Sequence, residues 1–267
     1  MINLSEYTKF AIEIAKKAGL IQMSYFGNIT EIKKKSSHID ILTEADTKSE
    51  ELIIKKIRQK YPNHSIVSEE RKDIYNDSDY KWIIDPLDGT TNFTHNLPIF
   101  ATSIALLKNN IIICGVVYNP AADKCFYAEI NNGAYLNEKK INISSSSTLG
   151  DSLLATGFPY LHDARYDLSF KLFKNFYDKT RGIRRLGAAA LDLCFVAMGR
   201  FDGFYEFELN SWDIAAGSLI VREAGGLVTD WDGKELPLNG ERILASNQKI
   251  HKEMMRILTN NKYKIFY

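Results

Sequence analysis

The sequence is poor in cysteine. Three occur in 267 residues, Cys114, Cys125 and Cys194, and no CxxC pair is present. That odd, scattered set excludes a disulfide scaffold and a cysteine-rich zinc centre, and leaves reduced, buried thiols as the expectation. Net charge is also nearly absent: 34 basic against 33 acidic residues gives +1. The balance gives no sign of a large nucleic-acid footprint. The basic runs Lys33-Lys34-Lys35 and Arg184-Arg185 read as short solvated faces, so no nucleic-acid partner is expected. No long apolar run occurs; Ile111 to Val117 is far too short for a bilayer and reads as a buried strand. Glu6, Lys9, Glu13 and Lys16-Lys17 interrupt any signal-like core near the N-terminus. A cytoplasmic protein with no membrane partner is therefore expected. Neither HExxH, GxGxxG nor GxxxxGKS/T occurs, and the five histidines do not cluster, so none is assigned a catalytic role.

What is present is ordinary globular composition, 45% apolar and 25% charged, in a chain long enough for one large α/β domain or two smaller ones. Residues 4–26 repeat Leu4, Tyr7, Phe10, Ala11, Ile14, Ala18, Ile21 and Tyr25 at helical spacing, stopped by Gly27 and Asn28. A second helix, capped by Thr43 or Asp46, runs to about Lys60 ahead of Pro62, with residues 35–46 a polar connection. The period then changes. Ser65-Ile66-Val67 reads as a strand, and Trp82-Ile83-Ile84 as another, closed by Asp85. Ala101 to Leu107 and Ile111 to Tyr118 flank a tight turn at Asn109-Asn110. Cys125 to Ile130, Ala134 to Leu136 and the alternating Ile141 and Ile143 follow. After the serine cluster Ser144 to Ser147, strands and helices alternate to the end, as in layered α/β proteins. The expected organisation is an N-terminal half, residues 1–143, with helices on a mostly antiparallel sheet, and a C-terminal α/β half, residues 144–267, packed closely on it.

The chemistry concentrates in Trp82-Ile83-Ile84-Asp85-Pro86-Leu87-Asp88-Gly89-Thr90-Thr91-Asn92-Phe93: an apolar strand ending in a carboxylate, a proline-containing turn, a second carboxylate, then Gly-Thr-Thr. Asp85 and Asp88 can face one point across the turn, and paired carboxylates repel unless a cation lies between them. Oxygen donors suit a hard ion such as Mg²⁺ rather than zinc. Gly89 allows close backbone approach, and a helical turn opening at Gly89-Thr90 offers N–H groups to an anion. Taken alone, the same DxxDG reads equally as an Asx turn closing a strand. Glu69-Glu70 is the next acidic supply, or a solvated loop. Asp213 alone reads as a helix N-terminal charge.

Together, Glu69-Glu70, the run from Asp85 to Phe93, and Ser211-Trp212-Asp213-Ile214-Ala215-Ala216-Gly217 resemble the inositol monophosphatase family of lithium-sensitive, magnesium-dependent phosphatases related to fructose-1,6-bisphosphatase. Lys35-Ser36-Ser37 with Asp40, Thr43 to Asp46, Gly187 to Ala190, Gly203 to Glu206 and Gly225-Gly226 extend the resemblance along nearly the whole chain. It implies a layered αβαβα sandwich and a Mg²⁺-dependent hydrolase of phosphate monoesters, inositol 1-phosphate first. NADP(H) 2′-phosphatase and fructose-1,6-bisphosphatase activity, and a non-catalytic role on the transcription machinery, are the alternatives. The resemblance gives one metal to Glu69, Asp85 and the Leu87 carbonyl, a second to Asp85, Asp88 and Asp213, and a weaker third to Glu69 and water. It gives Thr90, paired with Asp46, the orientation of the attacking water, with Glu70 as a further acid. Phosphate falls to the Gly89 and Thr90 amides, and Asp88, Ala189, Glu206 and Asp213 face the substrate. A homodimer is also implied. Ala188 departs from the threonine common in animal members, which loosens strict inositol selectivity. Arg184 and Arg185 take either substrate-side positions or dimer or solvent contacts, and Lys35 lies either in a mobile metal-site loop or in water.

Overall fold

The computed structural model describes residues 2–28, 32–34, 41–160, 163–238 and 241–260. Lys35 and Asp40 lie outside the described residues. The first half contributes α1 (Glu6–Tyr25), β1 (Ile32–Lys34), β2 (Ile41–Thr43), α2 (Glu44–Lys60), β3 (Ser65–Ser68), β4 (Tyr80–Asp88), α3 (Thr90–Thr94), β5 (Ala101–Lys108), β6 (Ile111–Asn119), β7 (Lys124–Glu129), β8 (Ala134–Leu136) and β9 (Lys139–Lys140). The second contributes β10 (Leu153–Thr156), α4 (Ala164–Tyr177), β11 (Gly182–Arg184), α5 (Ala189–Ala197), β12 (Gly203–Phe207), α6 (Ser211–Glu223), β13 (Leu227–Thr229), β14 (Arg242–Ser246) and α7 (His251–Leu258).

Strands β3 to β9 form a seven-stranded sheet in chain order, and β11-β10-β12-β14-β13 form a five-stranded one. In the larger sheet only β3 pairs with β4 in parallel; the remaining neighbours are antiparallel. Strand periodicity sets the layers. On β4, Trp82 and Ile84 pack with Phe10, Ile14, Ile53 and Ile57 of α1 and α2, whereas Ile83 joins the core built around α5 and α6. On the smaller sheet, Ala155 and Phe204 face that same central core. Their neighbours Leu154 and Tyr205 face Leu168, Phe176 and Met254 of α4 and α7. The order is helices, sheet, helices, sheet, helices: the αβαβα sandwich expected.

Three expectations are corrected. Asp85 does not close its strand; β4 continues through Pro86 to Asp88, with a register shift between Asp85 and Asp88 opposite β5. Proline is tolerated there because β3 has already ended, its Ser68 pairing with Ile84, so no ladder donor is needed at Pro86. The polar connection over residues 35–46 contains β2 and the first turn of α2. Ile141 and Ile143 lie beyond β9 and pack on the central core instead of forming a strand.

Candidate active site

The acidic residues reach one place because several elements end there. Glu69 follows β3, Asp85 and Asp88 occupy the irregular end of β4, and Asp213 lies in the first turn of α6. With Leu87, Gly89 and Thr90 they line a cavity of about 510 Å³. A second cavity of about 440 Å³ shares Glu69, Asp88 and Asp213 and continues past Ala188, Ala189, Asp192 and Glu206.

Backbone N–H groups set the orientation of these acids. Asp85 Oδ1 accepts from Leu87 N at 2.9 Å, Asp88 Oδ2 from Ala190 N at 2.8 Å, and Asp213 Oδ2 from Asn210 N at 2.6 Å. Asp88 thereby occupies the N-terminus of α5, whose own N-cap, Ala188, has no capping side chain. A carboxylate held through one oxygen keeps lone pairs on the other for a cation. Asp46 is buried at the start of α2: its Oδ2 accepts from Thr43 N and Thr43 Oγ1 at 2.8 and 2.5 Å. Thr43 is therefore the cap, and Asp46 closes its capping box. The Thr90 hydroxyl lies 3.1 Å from Asp46 Oδ1 and 3.0 Å from the Leu87 carbonyl, so it has two acceptors for one proton. Glu70 is fixed through its backbone N–H, which donates to buried Glu50 at 3.2 Å, and it lines neither cavity.

The electrostatics are those of an overcrowded anionic site. Burial raises the Asp85 pKa well above the carboxylate range, and the charges of Glu69, Asp88 and Asp213 push it further. Asp88 is pushed up to about 7, mainly by burial and partly relieved by the α5 amides. Asp213 is raised by burial and then by Asp88 and Glu69. Among the described residues no three His, Cys, Asp or Glu side chains are arranged so that they could together hold a metal ion. The fit to a cation rests instead on the donor set, which is all oxygen, desolvated and mutually repelling, the signature of a site for a hard divalent ion. Gly89 supports the same reading. Its φ is +88°, and a Cβ there would approach the Ile99 carbonyl to 2.8 Å, so only glycine keeps this cradle open.

Glu206, buried on β12, is pushed up to about 8 by burial, with Arg185 opposing and Asp88 adding to the shift. A Cβ on Gly157 would overlap its carboxyl, so that glycine makes the room Glu206 occupies. Both arginines are exposed; Arg185 lines both cavities, whereas Arg184 lines neither and donates to the Ile183 carbonyl at 3.2 Å. Cys194 is core, buried within α5. Sequence reasoning missed the supporting polar residues. Gln22 Nε2 donates to the Pro86 carbonyl at 2.6 Å and contacts Thr102 Oγ1 at 2.7 Å. Glu50 accepts from Ser68 Oγ at 2.5 Å and pairs with Arg71 at 3.0 Å, bracing the strand before Glu69. Ser103 Oγ donates to the Trp212 carbonyl at 3.1 Å, fixing the start of α6. Gln22 and Ser103 each stand on a largely apolar stripe, whereas Glu50 shares the buried face of α2 with Asp46 and Ser49.

The family profile described as the inositol monophosphatase family matches residues 3–263. The chain belongs to the inositol monophosphatase family. It is 42% identical over 257 residues to the inositol-1-monophosphatase of Synechocystis sp., covering 96% of this chain and 90% of that protein. It is 42% identical over 247 residues to the Nus factor SuhB of Haemophilus influenzae, covering 92% of each. The solved Thermotoga maritima IMPase superposes with a TM-score of 0.89 at 37% identity, covering 97% of this chain and 98% of that one. This inositol monophosphatase family member is accordingly a phosphatase. Among its described residues no helix is long and apolar enough to cross a membrane.

Proposed function

We propose that the enzyme hydrolyses phosphate monoesters of polyols with Mg²⁺, inositol 1-phosphate being the first choice of substrate. The observation that carries this reading is the meeting of Glu69, Asp85, Asp88, Asp213 and Thr90, which is hydrogen-bonded to buried Asp46, in one cavity, with a second cavity that shares Glu69, Asp88 and Asp213 and reaches Glu206. Glu69, Asp85 and the Leu87 carbonyl would hold one ion, and Asp85, Asp88 and Asp213 a second. The chemistry supplied by bound Mg²⁺ is neutralisation of the phosphate dianion and acidification of water.

The chain's own groups do the positioning. Thr90 Oγ1 gives its proton to Asp46, so its lone pair is left to accept from the attacking water and aim it. Glu70 is proposed as a further acid on the family likeness alone. Amides of Gly89 and Thr90 meet the phosphate oxygens as charge develops on them. Water then displaces the alcohol in line, with no phosphoenzyme. Asp88, Ala189, Asp213 and Glu206 bound the leaving alcohol. Glu206, with a pKa near 8, both donates to and accepts from hydroxyls near neutrality.

Initial rates of phosphate release from inositol 1-phosphate, NADP, fructose 1,6-bisphosphate and an aryl phosphate, with and without Mg²⁺, test the reading. Release should require Mg²⁺, decline across a lithium titration, and be most efficient on inositol 1-phosphate. Glu206→Gln should lower kcat/KM for that substrate more than for the aryl ester. A kcat/KM for NADP about tenfold above the inositol ester would move the reading to a 2′-phosphatase. The name of the Haemophilus influenzae relative supports a second reading, attachment to the transcription machinery; absence of any Mg²⁺-dependent release would leave that one standing. A homodimer is proposed on the family likeness, and light scattering that returned a single 30.4 kDa chain would refute it.

A further inference from the structure

The second cavity contains an acid that the mechanism above does not use. Asp192 stands in the first turn of α5 and lines this cavity with Glu206, Ala189 and Arg185. It is only 2% exposed, and its Oδ1 is buried with no hydrogen-bond partner in the protein. Buried polar atoms are paired in the great majority of cases, so an orphaned carboxyl oxygen beside a binding cavity asks what meets it.

Helix capping does not answer the question. An acid in a first turn is ordinarily explained by the N-terminal N–H groups. Those of α5 already serve another residue: Asp88 Oδ2 accepts from Ala190 N at 2.8 Å, and the Ala189 and Leu191 amides also act on Asp88. Packing does not answer it either, because Asp192 interrupts a helix whose other buried residues are all apolar. Its neighbours in charge are Glu206 and Asp88, with Arg185 opposing, and burial raises its pKa well above the carboxylate range. A carboxyl of this kind donates as well as accepts, which is the pattern of a hydroxyl partner.

We propose that Asp192 is a second hydroxyl-reading residue of the alcohol subsite: its unpartnered Oδ1 takes up a hydroxyl of the leaving polyol beside the one met by Glu206. Two adjacent carboxyls select alcohols with at least two free hydroxyls. The inference rests on the polyol monoester reading and goes beyond it by adding a specificity residue and this requirement on the substrate.

The test uses the full chain at saturating Mg²⁺ on inositol 1-phosphate, glycerol 2-phosphate and phenyl phosphate. Wild type should favour the two polyol esters; if it does not, the polyol reading fails and this inference with it. Asp192→Leu, similar in size and free of a buried acid, should keep or raise the thermal midpoint. It should lower kcat/KM on both polyol esters by about tenfold, mainly through KM, and leave phenyl phosphate within about twofold. Asp192→Ala reads the same ratio should leucine not fit. Asp192→Asn, which keeps a polar group of the same size, should recover most of the loss. Equal losses on all three esters, or none on the polyols, would overturn the assignment while the wild-type preference stood.

Discussion

Asp85 shows how the site trades stability for function. Each charge that acts on it comes from an acid, Glu69, Asp88 or Asp213, and burial adds to the strain. Replacing it with asparagine removes a repelling charge and keeps the shape. Metal-free Asp85→Asn should therefore melt at a higher temperature than wild type near neutral pH. Its kcat/KM at saturating Mg²⁺ should fall by more than about 100-fold, since even loss of a supporting group around a metal costs 10–100-fold. Calorimetry and phosphate release on one preparation check both halves; near-normal turnover sinks the ligand assignment. Glu206 yields a pH prediction. Its carboxyl is raised from 4.5 to about 8. Between those values the native state retains a proton that the unfolded chain has released, so stability falls as pH rises through the window. Glu206→Gln should flatten that slope. The variant should match wild type near pH 5 and melt at least about 2 °C higher near pH 8, the remaining slope belonging to the other buried acids of the site, Asp85, Asp88, Asp192 and Asp213. Parallel melting curves for the two proteins across this range would contradict it.

At the level of elements, the site depends on an irregular strand end held from behind. The β4 bulge carries Asp85 and Asp88, and Gln22 of α1 secures it through the Pro86 carbonyl at 2.6 Å. Gln22→Leu should cost about 0.5–1.5 kcal/mol, because that buried carbonyl loses its amide donor and keeps only the Thr102 hydroxyl at 3.3 Å. It should also raise the half-saturating Mg²⁺ concentration by roughly tenfold, as loss of a supporting contact does. A Mg²⁺ titration of activity beside a urea melt separates the effects, and unchanged Mg²⁺ dependence would show that the bulge holds itself. What the sequence disclosed follows from range. Local signals were readable: the Asp85-to-Thr90 run, a helix cap at Thr43 or Asp46, the Asn109-Asn110 turn and the apolar Trp82-Ile83-Ile84 strand. Long-range support was not. Gln22 meets Pro86 64 residues away, and Asp88 caps a helix at Ala190, 102 residues on. Nothing near Asp88 announces that second duty, and Pro86 invited a turn where the chain in fact continues as a strand. Gln22 and Asp192 did leave a trace, each a polar side chain on a largely apolar stripe.

At the level of the whole molecule, the question is whether the proposed halves, residues 1–143 and 144–267, are separate folding units. The central layer argues against independence. Helices α5 and α6 come from the second half, yet α6 packs on β5, β6 and β7 of the first. One apolar core runs through Ile83, Val117 and Phe126 of the larger sheet, Leu193 and Ile220 of the helices, and Phe204 and Ala245 of the smaller sheet. Removing either half would strip a full face from the other half's sheet, and half-covered sheets of this apolar content do not persist in water. Two tryptophans report on the two sheets. Trp82 is buried in the first with its Nε1 donating to His64 Nδ1 at 3.1 Å; Trp231 is buried against the second with its Nε1 donating to the Ile243 carbonyl at 3.0 Å. Variants keeping one or the other, with phenylalanine at the remaining two of the three tryptophans, would follow each half separately by fluorescence. Within each variant the fluorescence and far-ultraviolet circular dichroism midpoints should agree within about 0.2 M of urea, as a single cooperative transition requires. Midpoints well apart would mean that the central helices couple the sheets too weakly to unite them, and the site, which draws Asp85 from one half and Asp213 from the other, would then open at the boundary before either half unfolds.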